Sequence, residues 1–260
     1  MKEQLKILAV EDDLLNMTLL KDTLLMHCNK IKINEAYNGR EALKMLENSH
    51  YDLIIMDIRM PELDGYETTK YIREKLKTPK NIIPILGLSA HAIKEEIEKG
   101  KLIGMNDFIS KPIDPVKLFE KIDQLTHSKT NTEKREHEKD VIKKPDSLVI
   151  DLGFFENLFK NDRKKINQTI LTYSNEMPSQ LQDLTTFLEN GQFENIKLTA
   201  HSMKSTFRYI GRDDLSETAK QIENIALNEK DEKLLKTKIN ELFLNWGHID
   251  LEIKKILQQQ

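Results

Sequence analysis

Short apolar runs that alternate with longer helix-like stretches constrain the first half of the chain most strongly. The runs LKILAV, YDLIIM and IIPILGL predict buried strands, and KINEAY and DFIS predict two further short strands. Between them, apolar side chains recur at helical spacing, as in the pairs Leu20 and Leu24, and Leu43 and Leu46. Five strands that alternate with five helices predict a parallel sheet covered by helices on both faces.

The second half of the chain shows helical spacing and no strand pattern. Six segments carry it, from FFENLF to LLKTKINELFLNWGHIDLEIKKIL. Residues that end or interrupt helices stand between them at Pro178, Asn190-Gly191, Gly211 and Asn228. This pattern predicts an antiparallel, all-α helical bundle.

A charged segment separates the two halves. Residues 127–147 mix both signs of charge and include Pro145, and Val141 and Ile142 are almost their only apolar residues. This composition predicts a solvated linker. An ordinary surface helix is the alternative, but the apolar residues form no stripe. For a chain of 260 residues we therefore expect two domains, residues 1–126 and 148–260, joined by the linker.

Composition excludes several classes of protein. No apolar run approaches the roughly 18 residues of a membrane span, so we expect no membrane insertion. The start, MKEQLKILAV, lacks signal-peptide anatomy, and Cys28 is the only cysteine, which together favour the cytoplasm. The net charge is −3, and no Lys/Arg stripe interleaves with aromatic residues, so direct nucleic-acid binding is not expected.

Polar side chains follow four of the predicted strands. They are Glu11, Asp12 and Asp13 after ILAV, Asp57 after LIIM, Ser89 after ILGL, and Lys111 after DFIS. In a doubly wound parallel sheet, ligands bind outside the carboxyl ends of the strands. We therefore expect several carboxylates, a hydroxyl and an ammonium to meet in one crevice.

This set of groups suits phosphoryl transfer. Mg²⁺ relieves the repulsion among clustered carboxylates, and a carboxylate can act as nucleophile toward phosphorus. The metal and a lysine then neutralise the charge on the transferring group. Taken singly, the acids could favour a helix N-terminus, Asp57 could be a turn carboxylate and Lys111 a surface lysine. Their coincidence at four strand ends favours a site.

Four motifs in order, ILAVEDDLLN, LIIMDIRMPELDG, LGLSAHA and FISKPID, resemble the response-regulator receiver domain, especially the receivers attached to hybrid histidine kinases. The resemblance covers residues 4–126 and implies a flavodoxin-like fold. It implies that Asp57 is the phosphoacceptor, and that Glu11, Asp12, Asp57 and the backbone carbonyl of Arg59 hold Mg²⁺.

The same resemblance assigns the remaining residues of the crevice. It implies that the Ser89 hydroxyl moves toward the phosphoryl group, with Lys111 as its ammonium partner and Phe108 as an aromatic that repositions with Ser89. It also implies a cis Lys111–Pro112 bond. Asp13 is an additional carboxylate, and we expect it to cap a helix. A phosphatase with a strand-end nucleophile requires a second aspartate two positions on, where Arg59 stands.

A second candidate site lies in the segment AHSMKSTFRYIG. On a helix, His201, Lys204, Ser205 and Arg208 share one face. An exposed imidazole offers a neutral nitrogen to phosphorus near physiological pH, while the two basic residues steer and neutralise the phosphoryl group. A small residue at position 205 leaves room for a partner's acid pocket. The alternative is a surface histidine on a basic helical face.

This segment resembles the signature of histidine phosphotransfer (Hpt) domains, in which lysine follows the histidine at three, a small residue at four, and glycine later, here Gly211. The resemblance spans residues 148–258 and implies a four-helix-bundle-type domain that carries phosphate on His201, supported by Lys204, Ser205 and Arg208. The family prefers glycine where Ser205 stands.

Together the two resemblances imply a two-component phosphorelay protein rather than an enzyme. It would accept a phosphoryl group on Asp57 from an upstream histidine kinase and pass it through His201 to a downstream response-regulator receiver. Three alternatives stay open. The chain could be an interaction module gated by phosphorylation of Asp57, a phosphate sink, or the C-terminal part of a hybrid histidine kinase.

Overall fold

The computed structural model describes residues 4–27, 31–90, 94–126 and 150–258. The predicted linker, residues 127–147, lies outside them. The first half forms a five-stranded parallel sheet in the order β2-β1-β3-β4-β5, which confirms the predicted sheet. The strands are β1 (Leu5–Val10), β2 (Ile31–Ala36), β3 (Leu53–Asp57), β4 (Ile85–Ser89) and β5 (Asp107–Ser110).

Helices cover both faces of this sheet. They are α1 (Leu14–His27), α2 (Gly39–Asn48), α3 (Gly65–Lys75), α4 (Lys94–Ile103) and α5 (Pro115–Thr126). Side chains alternate along each strand, so Ile7 and Ala9 of β1 pack against α1 and α5. Leu8 and Val10 of the same strand pack in the cluster that α2 and α3 cover. Because both faces are covered, the inner strands β3 and β4 are buried along their whole length.

The second half is a helical bundle. Its helices are α6 (Gly153–Leu158), α7 (Arg163–Glu189), α8 (Phe193–Tyr209), α9 (Asp213–Asn224) and α10 (Glu232–Gln258), with a π-helical segment at Ile225–Glu229. The four longer helices form a ring in which α7 and α9 each pack against both α8 and α10. One apolar core, which includes Tyr173, Phe207 and Trp246, fills the centre. None of the helices in the described ranges combines the length and apolar character that a membrane span requires.

The prediction that Pro178 interrupts the helices is wrong. The helix α7 continues through Pro178, although proline removes one backbone N–H donor. Met177, Leu181 and Leu184 on either side are buried in the bundle core, and we infer that this burial outweighs the lost hydrogen bond. Two other predicted boundaries agree with the structure, since Asn190 and Gly191 follow α7, and Gly211 follows α8 with a positive φ of 72°. Asn228 does not end a helix but lies within the π-helical segment between α9 and α10.

The helix α1 carries two apolar stripes. Met17, Leu20 and Leu24 are buried against the sheet. Leu15 and Leu19, each 2% exposed, are buried instead in the apolar core of the helical bundle. The two halves therefore pack against each other through α1.

Substitution by alanine should have opposite effects on stability at Gly65 and at Gly247. At Gly65, a Cβ would lie 2.2 Å from the carbonyl oxygen of Asp57, so Gly65→Ala should destabilise the first half by about 1–3 kcal/mol. At Gly247, in α10, a Cβ meets nothing within 4 Å, so Gly247→Ala should stabilise the bundle by about 1 kcal/mol through helix propensity.

Denaturant unfolding separates these two effects. Trp246 is the only tryptophan and is buried in the bundle, so its fluorescence follows the second half, while circular dichroism follows the whole chain. Equal stability of Gly65→Ala and the unchanged chain would contradict the close approach of Gly65 to β3.

Candidate functional site

Three carboxylates and one ammonium meet at the carboxyl edge of the sheet. Glu11, Asp12 and Asp57 each offer an oxygen within 4.8 Å of the others. The Nζ of Lys111 lies 2.6 Å from Glu11 Oε2 and 2.6 Å from Asp57 Oδ2. The sheet register produces this meeting, because Asp57 pairs with Leu88 and the strands are parallel. The Lys111–Pro112 peptide bond is cis, as predicted.

Burial and mutual repulsion dominate the electrostatics of this pocket. Burial raises the pKa of Glu11 well above its ordinary value, and the charge of Asp57 raises it further. Burial, with the charge of Asp57, also raises the pKa of Asp12 to about 7. Burial alone would lower the pKa of Lys111, but the charges of Asp57 and Glu11 raise it above its ordinary value. The pocket therefore holds a firmly charged ammonium and an excess of acidic groups.

The donor set fits a hard divalent cation. When ionised, three carboxylates face one ammonium, which leaves an excess of negative charge among closely spaced oxygens. Asn16 Nδ2 donates to Glu11 Oε1 at 3.2 Å and so helps to orient that carboxylate. The chemistry of these ligands therefore suits Mg²⁺.

The predicted switch residues border the pocket. The Ser89 hydroxyl donates to Glu96 Oε2 at 2.9 Å, and Arg59 Nη2 donates to Glu96 Oε1 at 2.7 Å. The backbone N–H of Arg59 donates to Asp57 Oδ1 at 3.2 Å. Phe108 is buried, and its ring lies against Gly87 and Gly100. Glu96, which sequence reasoning did not single out, thus links Ser89 to Arg59.

The second candidate site lies on α8 and is more buried than expected. The sequence predicts an exposed His201, but only 12% of its side chain is exposed, and Lys204 and Ser205 are each 3% exposed. Met203, Phe207 and Ile210 are fully buried in the core, as predicted. The face of α8 is covered because it packs against the first half, which the sequence pattern alone did not indicate.

Glu223 of α9 orients the imidazole of His201. The Nδ1 of His201 lies 2.8 Å from Glu223 Oε1, and Lys204 Nζ donates to Glu223 Oε2. Burial would raise the pKa of Glu223, but its hydrogen bond to His201 and the charges of His201 and Lys204 hold that pKa at about 2. A carboxylate only accepts, so Nδ1 must donate, and in the neutral ring Nε2 carries no proton.

The Nε2 atom of His201 is buried and, within the described part of the chain, has no hydrogen-bond partner. A lone pair therefore remains available at this nitrogen. Sequence reasoning missed Glu223 because it stands 22 positions after the histidine, in a helix with another glutamate, and no local motif marks it.

Helix α8 lies across the carboxyl edge of the sheet. The Ser202 hydroxyl donates to Asp13 Oδ2, beyond β1, at 2.6 Å. Arg208 Nη1 donates to the carbonyl oxygen of Ala90, beyond β4, at 3.2 Å. In the strand order, β3 with Asp57 lies between β1 and β4. The segment that contains Lys204 and Ser205 therefore passes over the end of the strand that carries Asp57.

Comparisons with known proteins identify the families to which the two halves are similar. The family model described as response regulator receiver domain matches residues 7–123, and the model described as Hpt domain matches residues 168–259. Sensor protein EvgS of Escherichia coli O157:H7 is 27% identical over 257 residues, which cover 99% of this chain and 20% of EvgS. The chain thus spans about a fifth of that relative.

Two further similarities each cover less than half of this chain. Hybrid signal transduction histidine kinase I of Dictyostelium discoideum is 39% identical over 45% of this chain and 7% of its own length. The receiver domain of the sensor histidine kinase PA1611 of Pseudomonas aeruginosa PAO1 is 31% identical, with a TM-score of 0.44, over 48% of this chain and 99% of that domain. The chain therefore belongs to the two-component phosphorelay proteins, and it joins a response regulator receiver domain to an Hpt domain.

Proposed function

We propose that this chain accepts a phosphoryl group on Asp57 and transfers it to His201 of the same chain. The observation that carries the proposal is the position of α8, which contacts the ends of β1 and β4 and so spans the end of β3. Receiver and Hpt domains are phosphotransfer modules, which fits a relay protein rather than an enzyme with a separate substrate.

The residues of the receiver pocket have distinct tasks in the first step. Asp57 Oδ is the nucleophile, and Lys111 neutralises oxygens of the incoming phosphoryl group. Ser89 turns from Glu96 toward that group, and Phe108 repositions with it. Glu11, Asp12, Asp57 and the backbone carbonyl of Arg59 would hold Mg²⁺, which supplies positive charge to the phosphoryl oxygens.

In the second step the Nε2 lone pair of His201 forms a bond to phosphorus. The bond between phosphorus and the Asp57 oxygen breaks, and its electron pair returns to the carboxylate. The proton on Nδ1 stays in place, so the ring becomes positive as the N–P bond forms. The carboxylate of Glu223, already ionised, offsets that positive charge. Lys204, Ser205 and Arg208 line the path of the phosphoryl group.

The proposed partners follow from this chemistry. A histidine kinase supplies the phosphoryl group, and a separate receiver takes it from His201. Acyl phosphates and phosphohistidines are both energetic, so the partners present set the direction of flow. The boundaries 1–126 and 148–260, with a linker over residues 127–147, stay predictions, as does a cytoplasmic location. The alternative that the chain is the C-terminal part of a hybrid histidine kinase also stays open.

Substitution of the two acceptors tests the order of transfer. In His201→Gln the label should stay on Asp57, because no acceptor nitrogen remains. In Asp57→Asn a cognate kinase should leave His201 unlabelled. Rapid quenching followed by mass spectrometry of the two phosphopeptides measures both. Labelling of His201 in Asp57→Asn as fast as in the unchanged chain would show that another receiver feeds the Hpt domain.

Removal of Mg²⁺ and a change of pH test the acid pocket. Chelation should abolish labelling of Asp57 by a small acyl phosphate. Because the pKa of Asp12 is raised to about 7, Mg²⁺ must displace a proton below that pH. The affinity for Mg²⁺ should therefore rise by at least about tenfold per pH unit below pH 7, since the pKa of Glu11 is raised as well.

The raised pKa of Asp12 also affects the stability of the metal-free protein. A carboxyl with a raised folded-state pKa stabilises the fold below its unfolded value, and that contribution is lost as the pH rises through 7. Calorimetric titration with Mg²⁺ measures the affinity. In the control Asp12→Asn the pH dependence should weaken but persist, because the pKa of Glu11 is raised as well. An affinity unchanged between pH 5.5 and 7 speaks against this assignment.

Glu223 should control the rate of transfer to His201. Glu223→Gln keeps an acceptor for Nδ1–H but loses the charge that offsets the imidazolium, so transfer should slow by about tenfold. Glu223→Ala should also release the ring, and ¹⁵N NMR of His201 should then lose the Nδ1–H tautomer. The matched control is Glu217→Gln on the same helix, where the exposed side chain pairs with Lys220. Equal transfer rates in both variants would remove Glu223 from the mechanism.

A further inference from the structure

The receiver's helix α1 presents a second surface that its own sheet does not use. Leu15 and Leu19 lie one helical turn apart and are buried in the apolar core of the Hpt bundle. Asp22, at i+7 from Leu15, continues the same face. The surface formed by Asp13, Leu15, Leu19 and Asp22 is called the α1 docking surface below.

Asp13 lies at the start of this surface, and its two carboxylate oxygens accept hydrogen bonds from different domains. Its Oδ1 accepts the backbone N–H of Asn16 at 2.8 Å and caps α1, as the sequence predicts. Its Oδ2 accepts the Ser202 hydroxyl of α8 at 2.6 Å and Gln180 Nε2 of α7 at 3.1 Å. Asp13 is only 7% exposed, so these two donors satisfy a carboxylate that the Hpt domain removes from water.

The far end of the surface is complementary in charge. Burial raises the pKa of Asp22, and the charge of Lys165 on α7 acts in the opposite direction. The Hpt domain therefore presents two neutral donors to Asp13, apolar side chains to Leu15 and Leu19, and a cation near Asp22. An apolar centre between polar ends is the composition of a specific interface.

The α1 docking surface packs against the Hpt domain of the same chain, and we propose that Asp13 is the positioning residue that brings His201 to the receiver pocket. Ser202, the partner of Asp13, directly follows His201, and Asp13 directly follows Asp12 of the acid pocket. One hydrogen bond thus ties the two phosphoacceptor sites together. The two domains are covalently joined, so their encounter is unimolecular. This inference rests on the proposed transfer between Asp57 and His201.

Two full-length variants distinguish docking within a chain from docking between copies. His201→Gln serves as a phosphodonor without its own acceptor, and Asp57→Asn serves as an acceptor without its own donor. In the unchanged chain, transfer from Asp57 to His201 should be first order and independent of protein concentration. In the mixture of the two variants it should be slower and should rise with concentration.

Substitutions across the interface test Asp13 itself. Asp13→Asn keeps the helix cap, because asparagine caps about as well as aspartate, but it places an amide donor against the donors of the Hpt domain. Ser202→Ala removes one donor and leaves the receiver unchanged. Each should slow transfer within the chain about tenfold, which corresponds to about 1.4 kcal/mol. The double variant should be little slower than either single one, because the two residues share one interaction.

The control is Asp64→Asn, which changes the cap of α3, where the carboxylate accepts the N–H of Glu67 at 2.7 Å and makes no hydrogen bond to residues 150–258. It should leave the transfer rate unchanged. Labelling of Asp57 by a small acyl phosphate is measured in every variant and shows whether the acid pocket is intact. If Asp13→Asn damages the pocket, the transfer rate of Ser202→Ala alone tests the role of Asp13.

The outcomes separate the inference from the function on which it rests. If His201 receives no label from Asp57 in any arrangement, the proposed function fails. If transfer occurs but depends on concentration in the unchanged chain, or if Ser202→Ala transfers at the unchanged rate, the proposed function stands and the docking inference is overturned.

Discussion

The ion pairs of Lys111 with Glu11 and Asp57 are the interaction on which the receiver pocket depends. All three groups are nearly inaccessible to water, and a buried charge without a partner would cost several kcal/mol. Glu11 and Lys111 directly follow β1 and β5, and Asp57 is the last residue of β3, so the pocket exists only when these three strands hold their register. The sheet is thus both the scaffold of the site and the reason that its charges can be buried.

One ammonium does not balance three carboxylates, and this imbalance gives the pocket its chemistry. The excess acidity raises the pKa of Asp12 to about 7 and makes the pocket receptive to a divalent cation. In the Hpt domain the ratio of acidic to basic groups is reversed, because the one carboxylate of Glu223 pairs with both Lys204 and His201. Glu223 is thus suited to offset a charge that would develop on the imidazole during the proposed transfer.

The helix α1 connects these two electrostatic environments. Its sheet-facing stripe belongs to the receiver core, and its second stripe, Leu15 and Leu19, belongs to the core of the Hpt bundle. The second stripe is visible in the sequence as leucines four positions apart. What it packs against is not visible, because a local pattern indicates that a surface is apolar but not which element covers it.

Local patterns in the sequence determined the five-stranded parallel sheet, the helical bundle and the strand-end positions of Asp57, Ser89 and Lys111. This was possible because helix and strand periodicity is visible over short segments, and because the carboxyl ends of parallel strands meet at one edge of a sheet. They also determined that His201 shares a helical face with Lys204. The tertiary structure alone decided three features. Pro178 lies inside a helix because packing on both sides outweighs one lost hydrogen bond. Glu223 reaches His201 because α9 packs on α8, and His201 is covered because α8 crosses the receiver's carboxyl edge. These features depend on contacts between residues distant in the chain, which no local periodicity encodes.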